Sequence, residues 1–143
     1  MGIAQSLEIS ASGLTAERLR MDVISNNLAN VNTTRTPEGG PYRRRHVVFA
    51  EEGSGGFADF LQGASIGGGV QVVAIEPDTT DFKRVRDPGN PDAGPDGYVL
   101  MPNIEPVMEM VDLITATRAY DAGVAAVGAA KQMQQKALEI GKA

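Results

Sequence analysis

The chain has 143 residues, with 13 Lys and Arg against 18 Asp and Glu for a formal charge of −5, no Cys, no Trp and one His. These counts exclude disulfides, thiolate catalysis, cysteine–zinc sites and histidine-rich metal clusters, and the acidic balance speaks against nucleic acid, whose phosphates need concentrated positive charge. Three Tyr and four Phe leave little aromatic bulk for a deep ligand pocket, and no run approaches the roughly 18 apolar residues of a membrane span.

The amino terminus lacks a basic segment followed by an apolar run, so no cleaved secretory signal is read there, and the chain is expected to stay in the cytosol or leave by another route. Residues 36–102 hold 12 of the 17 Gly and 7 of the 8 Pro. The expected division is therefore a helix over 1–34, a Gly/Pro-rich β-hairpin region over 35–102, and a second helix over 103–143.

In the first flank Leu7, Leu14, Met21 and Leu28 recur every seven residues, with Ile3, Ser10, Glu17, Ile24 and Val31 interleaved. This is a heptad seam interrupted by polar Ser10 and Glu17 and weakened by Gly13, so the helix needs a partner. Asn26, Asn27, Asn30 and Asn32 close it. Asn26 and Asn30 lie four apart on one face, where amides fix register between packed helices without burying charge, while Asn30, Asn32 and Thr33 also suit a helix end.

In the middle, short strands are expected over 42–49, 70–75, 82–86 and 98–101, bounded by glycine and proline turns. Arg43, Arg44, Arg45 and His46 alternate across an extended chain, which gives solvated charge or a contact to subunit carboxylates. Asp87, Asn90, Asp92 and Asp96 place oxygen ligands in one loop, but their spacing does not fit a calcium loop, and the prolines at 88, 91 and 95 explain a hairpin tip. His46 with Asp59 could form an acid–base pair. No nucleophile motif accompanies them, and a surface histidine is the simpler reading.

The second flank opens with Asn103 as an expected cap, Glu105 at the positive end of the dipole and Pro106 in the first turn, and the helix runs to about Ile140. Val107, Val111 and Ile114 form one apolar row, and Leu113, Tyr120 and Val127 another, with Thr117, Val124 and Leu138 offset from it. Ala119, Ala122, Gly123, Ala125, Ala126, Gly128, Ala129 and Ala130 permit close helix approach. At 1.5 Å per residue the two helices would run roughly 45 and 55 Å. Rods of that length cannot enclose one small core, so they pair along one face and leave apolar stripes for other chains.

The expected fold is mainly α with a small β insertion: long terminal helices paired as a coiled-coil-like unit with a short hairpin module between them. The expected interhelix or intersubunit seam sets Leu7, Leu14, Met21, Ile24 and Leu28 against Val111, Ile114, Tyr120, Val124 and Val127.

Five segments carry a resemblance that spans nearly the whole chain: SNNLANVNT from Ser25, YRRRHVVF from Tyr42, GGGVQVV from Gly67, DPGNPDAGPDGYVLMPN from Asp87, and MEMVDLITATRAYDAGVAAVGAAKQM from Met108. In this order they resemble the bacterial flagellar basal-body rod proteins. The short middle and the GNP and DGYV segments are most similar to the proximal-rod members.

The resemblance implies a structural subunit of the periplasmic drive shaft that transmits torque from motor to hook, exported without signal cleavage by the flagellar type III system. Its implied partners are other rod proteins, copies of itself, the MS-ring adaptor protein and the export apparatus, with no nucleic acid and no direct membrane insertion. No catalytic residue, cofactor or metal is implied. The stretch from Gly53 to Gly63 departs from the family pattern, and within it Phe57 and Leu61 resemble the short gate signal of early export substrates, or an apolar plug under a loop. On pattern alone, a cytosolic export adaptor with coiled-coil ends is the alternative.

Overall fold

The computed structural model describes residues 2–53 and 68–141; Phe57 and Leu61 lie outside them. Along the chain run helix α1 (Ile3–Ala29), strands β1 (Arg45–Glu51), β2 (Val70–Pro77), β3 (Lys83–Arg86) and β4 (Tyr98–Met101), and helix α2 (Pro106–Ile140). The architecture is mainly helical with a small β insertion. The β part is two separate antiparallel pairs, β1 with β2 and β3 with β4.

α1 and α2 are antiparallel neighbours: Met21 meets Thr117, and Leu14 packs over Gly123. From Pro106 onward the buried or half-buried residues of α2 are Pro106, Glu109, Asp112, Leu113, Ala116, Tyr120, Gly123, Val127 and Ala130. Apart from Pro106 and Asp112 they are spaced alternately by four and three, a single coiled-coil-like stripe. One row of that stripe is Ala116, Gly123 and Ala130, whose small side chains let α1 approach closely. A Cβ on Gly123 would stand 2.9 Å from Leu14 Cδ2, so Leu14 occupies space that a larger residue would fill. The same register brings the start of α1 level with Gln134, and the last turns of α2 extend beyond it.

α1 ends at Ala29 and is capped by Asn30, whose backbone N–H is shared by the Asn26 and Asn27 carbonyls at 3.1 and 3.2 Å. The chain then reverses through Gly39 and Gly40, at φ +90° and +78°, a backbone region that glycine enters without strain. Tyr42 N–H donates to Thr33 O at 2.9 Å, which closes the reversal and brings β1 back along α1.

β1 pairs with β2 from Arg45 opposite Pro77 to Glu51 opposite Val70, with an irregularity between Val48 and Phe49. Ser12 fastens this hairpin to α1, its Oγ accepting from Val70 N–H at 3.0 Å. Gly69 passes so close that a Cβ there would lie 2.3 Å from Ser12 Oγ, and its φ is +125°. Only glycine fits that crossing.

The second hairpin pairs Lys83 with Met101 and Arg86 with Tyr98. Its tip is pinned back to the end of α1 by Thr34 Oγ1, which donates to Asp92 Oδ2 at 2.7 Å. Val99, Pro102 and Ile104 are buried where this hairpin runs into α2. The N-cap of α2 is Glu105, with no side-chain capping bond. Asn103, expected to cap, is drawn instead into a network that holds the chain segments together.

Candidate functional site

Two polar side chains lie in the most enclosed part of the molecule: Asn27 is 0% exposed and Glu109 1%. Buried polar groups persist when their hydrogen bonds are made, and here they are made across the fold. Asn27 Nδ2 donates to Arg45 O at 2.8 Å and to Glu109 Oε2 at 3.0 Å. Asn27 Oδ1 accepts from Arg45 N–H at 3.0 Å and from the Tyr42 hydroxyl at 3.3 Å. The side-chain amide thus bonds the backbone of Arg45 on both sides, as a neighbouring strand would, and couples α1 to β1 and α2 together.

Arg44 completes the hub. Its Nε donates to Glu109 Oε1, Nη1 to Asp78 Oδ2 at 3.4 Å and Nη2 to Asp112 Oδ2 at 3.3 Å. Its own backbone N–H donates to Asn103 Oδ1 at 2.8 Å, and Asn103 Nδ2 donates to Thr80 Oγ1 at 2.8 Å. Burial pulls the Arg44 pKa down, but the hydrogen bonds and charges of Glu109 and Asp78 outweigh it, and the net shift is upward. Asp78 is held below the ordinary carboxylate value, first by the backbone N–H of Thr80, against some desolvation, and then by the Thr80 hydroxyl and Arg44. Burial raises the Tyr42 phenol, with Arg45 lowering it and Glu109 adding to the rise.

The basic run is therefore divided. Arg44 is spent inside the chain, and Arg43 lies 4.2 Å over the Phe82 ring while donating to Asp78 O and Thr80 O. Arg45 and His46 remain exposed. Such a junction fixes the angle and register at which two helices and two hairpins meet.

Of the seam residues expected on α1, Ile24 is buried and Leu7, Leu14, Met21 and Leu28 are half-buried. On α2, Tyr120 and Val127 belong to the covered stripe, whereas Val111, Ile114 and Val124 are exposed and do not face α1. The small-residue row takes their place against α1. Among the asparagines, Asn27 alone bridges elements by burial. Asn30 Nδ2 donates to Asn26 O and Oδ1 at 2.9 and 3.1 Å, a local bond at the helix end, while Asn26 Oδ1 also accepts from the Tyr42 hydroxyl at 3.0 Å. Asn32 is exposed.

Local sequence pattern does not mark Glu109, Arg44, Tyr42 and Asn103 as a unit. The signal present is Glu109 itself, one heptad before Ala116 in an otherwise small or apolar row.

A second feature is the uncovered side of α2. Val107, Val111 and Ile114, at i, i+4 and i+7, are 64%, 50% and 54% exposed, and Met108 and Met110 beside them are more than half exposed. A row of this kind on a rigid helix is suited to packing against another helix.

Residues 7–35 match the family described as "Flagella basal body rod protein", and residues 96–140 match "Flagellar basal body rod FlgEFG protein C-terminal". Over 96% of its length the chain is 49% identical to a protein of Bacillus subtilis (strain 168) named flagellar basal-body rod protein FlgC, covering 97% of that protein. It is 45% identical to the protein of that name from Borreliella burgdorferi, with 98% of each chain covered. The corresponding figures for Salmonella typhimurium (strain LT2) are 36% identity, 99% of this chain and 100% of the relative.

Proposed function

The chain belongs to the FlgC family of flagellar basal-body rod proteins, and from that premise we propose how it serves as a structural subunit of the proximal rod. Residues 1–34 and 103–143 supply the helix pair that packs into the rod core, and 35–102 supply outer contacts. The observation that carries this reading is the exposed row Val107, Val111 and Ile114 on α2. α1 covers one stripe of α2 and leaves this one for neighbouring copies and sibling rod proteins.

The work of such a subunit is resistance to shear. Torque passes through interlocked apolar rows, and the hub of Asn27, Arg44 and Glu109 keeps each hairpin from swinging against its helix pair. The subunit reaches the periplasmic rod through the flagellar type III apparatus, and the MS-ring adaptor is among its neighbours there. Helices that gain burial from neighbours fray before assembly, which suits passage through a narrow channel.

Replacement of Ile114 by Asp at the native locus tests the row directly. Basal-body fractions are expected to lose the chain and the cells their motility, while the helix content of the purified variant stays unchanged. Normal rods carrying Ile114→Asp would overturn the reading.

A further inference from the structure

Glu17 lies in the middle of α1, and its Oε2 is buried and accepts no hydrogen bond among the described residues. Arg20 Nη1 stands 3.8 Å away, near enough for charge attraction and too far to donate. A carboxylate oxygen removed from water and left without a donor is costly. It borders a cavity of about 300 Å³ where α1, α2 and the first hairpin meet, walled mainly by Gly13, Leu14, Phe49, Val70, Ala119 and Gly123, with Ser10 also lining it but its hydroxyl donating to Ser6 O. Apolar walls around a single acid suit a side chain with an aliphatic stem and a cationic tip.

The far end of α2 presents that chemistry. Met133, Lys136 and Ile140 share one helical face, at spacings of three and four. Met133 and Ile140 are 59% and 78% exposed, and Lys136 is exposed with no ion pair among the described residues. Within one chain the two surfaces cannot meet. Contacts of Leu14 with Gly123 and of Met21 with Thr117 set Glu17 level with Tyr120, which leaves Lys136 about 24 Å farther along the axis.

We propose that the Glu17 socket of one copy receives the Met133, Lys136 and Ile140 face of a second copy. The inference rests on the rod-subunit reading and specifies which surfaces join. The ammonium of Lys136 supplies the donor that Glu17 lacks, and Met133 and Ile140 cover the cavity rim. Because the two surfaces differ and are offset along the axis, the contact is heterologous and repeats into an open helical array rather than closing on itself.

The absence of cysteine from the chain makes the test direct. Glu17→Cys and Lys136→Cys are introduced together into the full chain, basal bodies are isolated, and the preparation is oxidised. The expected result is a ladder of dimers and larger multimers of this chain from the double variant, and none from either single variant. A double variant present in basal bodies in normal amount yet monomeric after oxidation would overturn the proposal, as would cross-linking solely to another rod protein. Absence of the unsubstituted chain from basal bodies would instead bring down the rod reading itself, and the socket with it. In a second measurement, Glu17→Lys is expected to reduce recovered rods at least roughly tenfold, with Lys136→Glu in the same chain restoring them. No restoration, with Glu17→Lys still folded by circular dichroism, would count equally against the contact.

Discussion

At the level of Asn27 and Glu109 the helix pair is held by charge and hydrogen bonds that reach three other stretches, 42–45, 78–80 and Asn103, whereas at the level of Gly13 and Gly123 it is held by small residues and one leucine, with the Ser12 staple joining the first hairpin to α1. The first region is complete within one chain. In the second a cavity remains, Glu17 accepts too few bonds, and α2 runs past the end of α1. A rod subunit gains from this division: one end fixes the orientation of the hairpins in advance, and the other, on the reading proposed above, leaves its surfaces for neighbours to complete.

The hub is most vulnerable at Arg44. Arg44→Ala leaves Glu109 buried without its cation, and loss of about 3–5 kcal/mol is expected, measured by urea unfolding. A double-mutant cycle with Glu109→Gln should be strongly non-additive, since the second change removes the charge that the first strands. Additive costs would mean that the hub is not one unit.

Amide exchange on dilute monomer sharpens the same contrast. Residues 20–29 and 104–116 should exchange at least about a hundredfold more slowly than 3–12 and 131–140, because burial and cross-segment bonds concentrate at the first level. Uniform strong protection along both helices would erase the distinction and the need for neighbours with it.

Two glycines at the looser level should respond to very different degrees. Gly69→Ala places a side chain at φ +125° and against Ser12 Oγ, and a loss of about 1–3 kcal/mol is expected. Gly123→Ala meets only Leu14 Cδ2 and Cγ, at 2.9 and 3.2 Å, atoms of a side chain able to change rotamer. Its penalty is offset by the roughly 1 kcal/mol that Ala gains over Gly in a helix, so thermal unfolding should change by less than about 1 kcal/mol.

Much of this arrangement is legible in the amino-acid order. The heptads of α1, the glycine and proline punctuation and the four short strands follow from local rules, and the observed elements lie within a few residues of the expected bounds. The face of α2 that meets α1 does not follow. Val111, Ile114 and Val124 are the more hydrophobic candidates, but Ala116, Gly123 and Ala130 permit closer approach, and apolarity alone cannot tell the face left exposed from the one used within the chain. The hub is hidden for a different reason. Arg44 and Glu109 are far apart in sequence, and what joins them is the reversal through Gly39 and Gly40, which no local pattern connects to a charge on the last helix. Asn103 shows the same effect in small: its cap-like position is right by local rules, and the nearby Arg44 amide and Thr80 hydroxyl outbid the helix end for its side chain.

The smallest expected effect concerns the edge of the hub at Asp78. Its folded-state pKa lies below its unfolded value, chiefly because the Thr80 backbone N–H donates to the carboxylate. A depressed carboxylate contributes stability that is fully present above its unfolded pKa of about 3.9 and is lost as the pH falls through the folded value. Asp78→Asn cannot titrate. Its urea midpoint should therefore sit below that of the unsubstituted chain at pH 6, and the gap should narrow steadily as the pH is lowered from about 4 toward 2. A gap that stayed constant over that range would place the stabilisation in the shape of the side chain rather than its charge, and would detach Asp78 from the electrostatic part of the hub that Arg44 and Glu109 define.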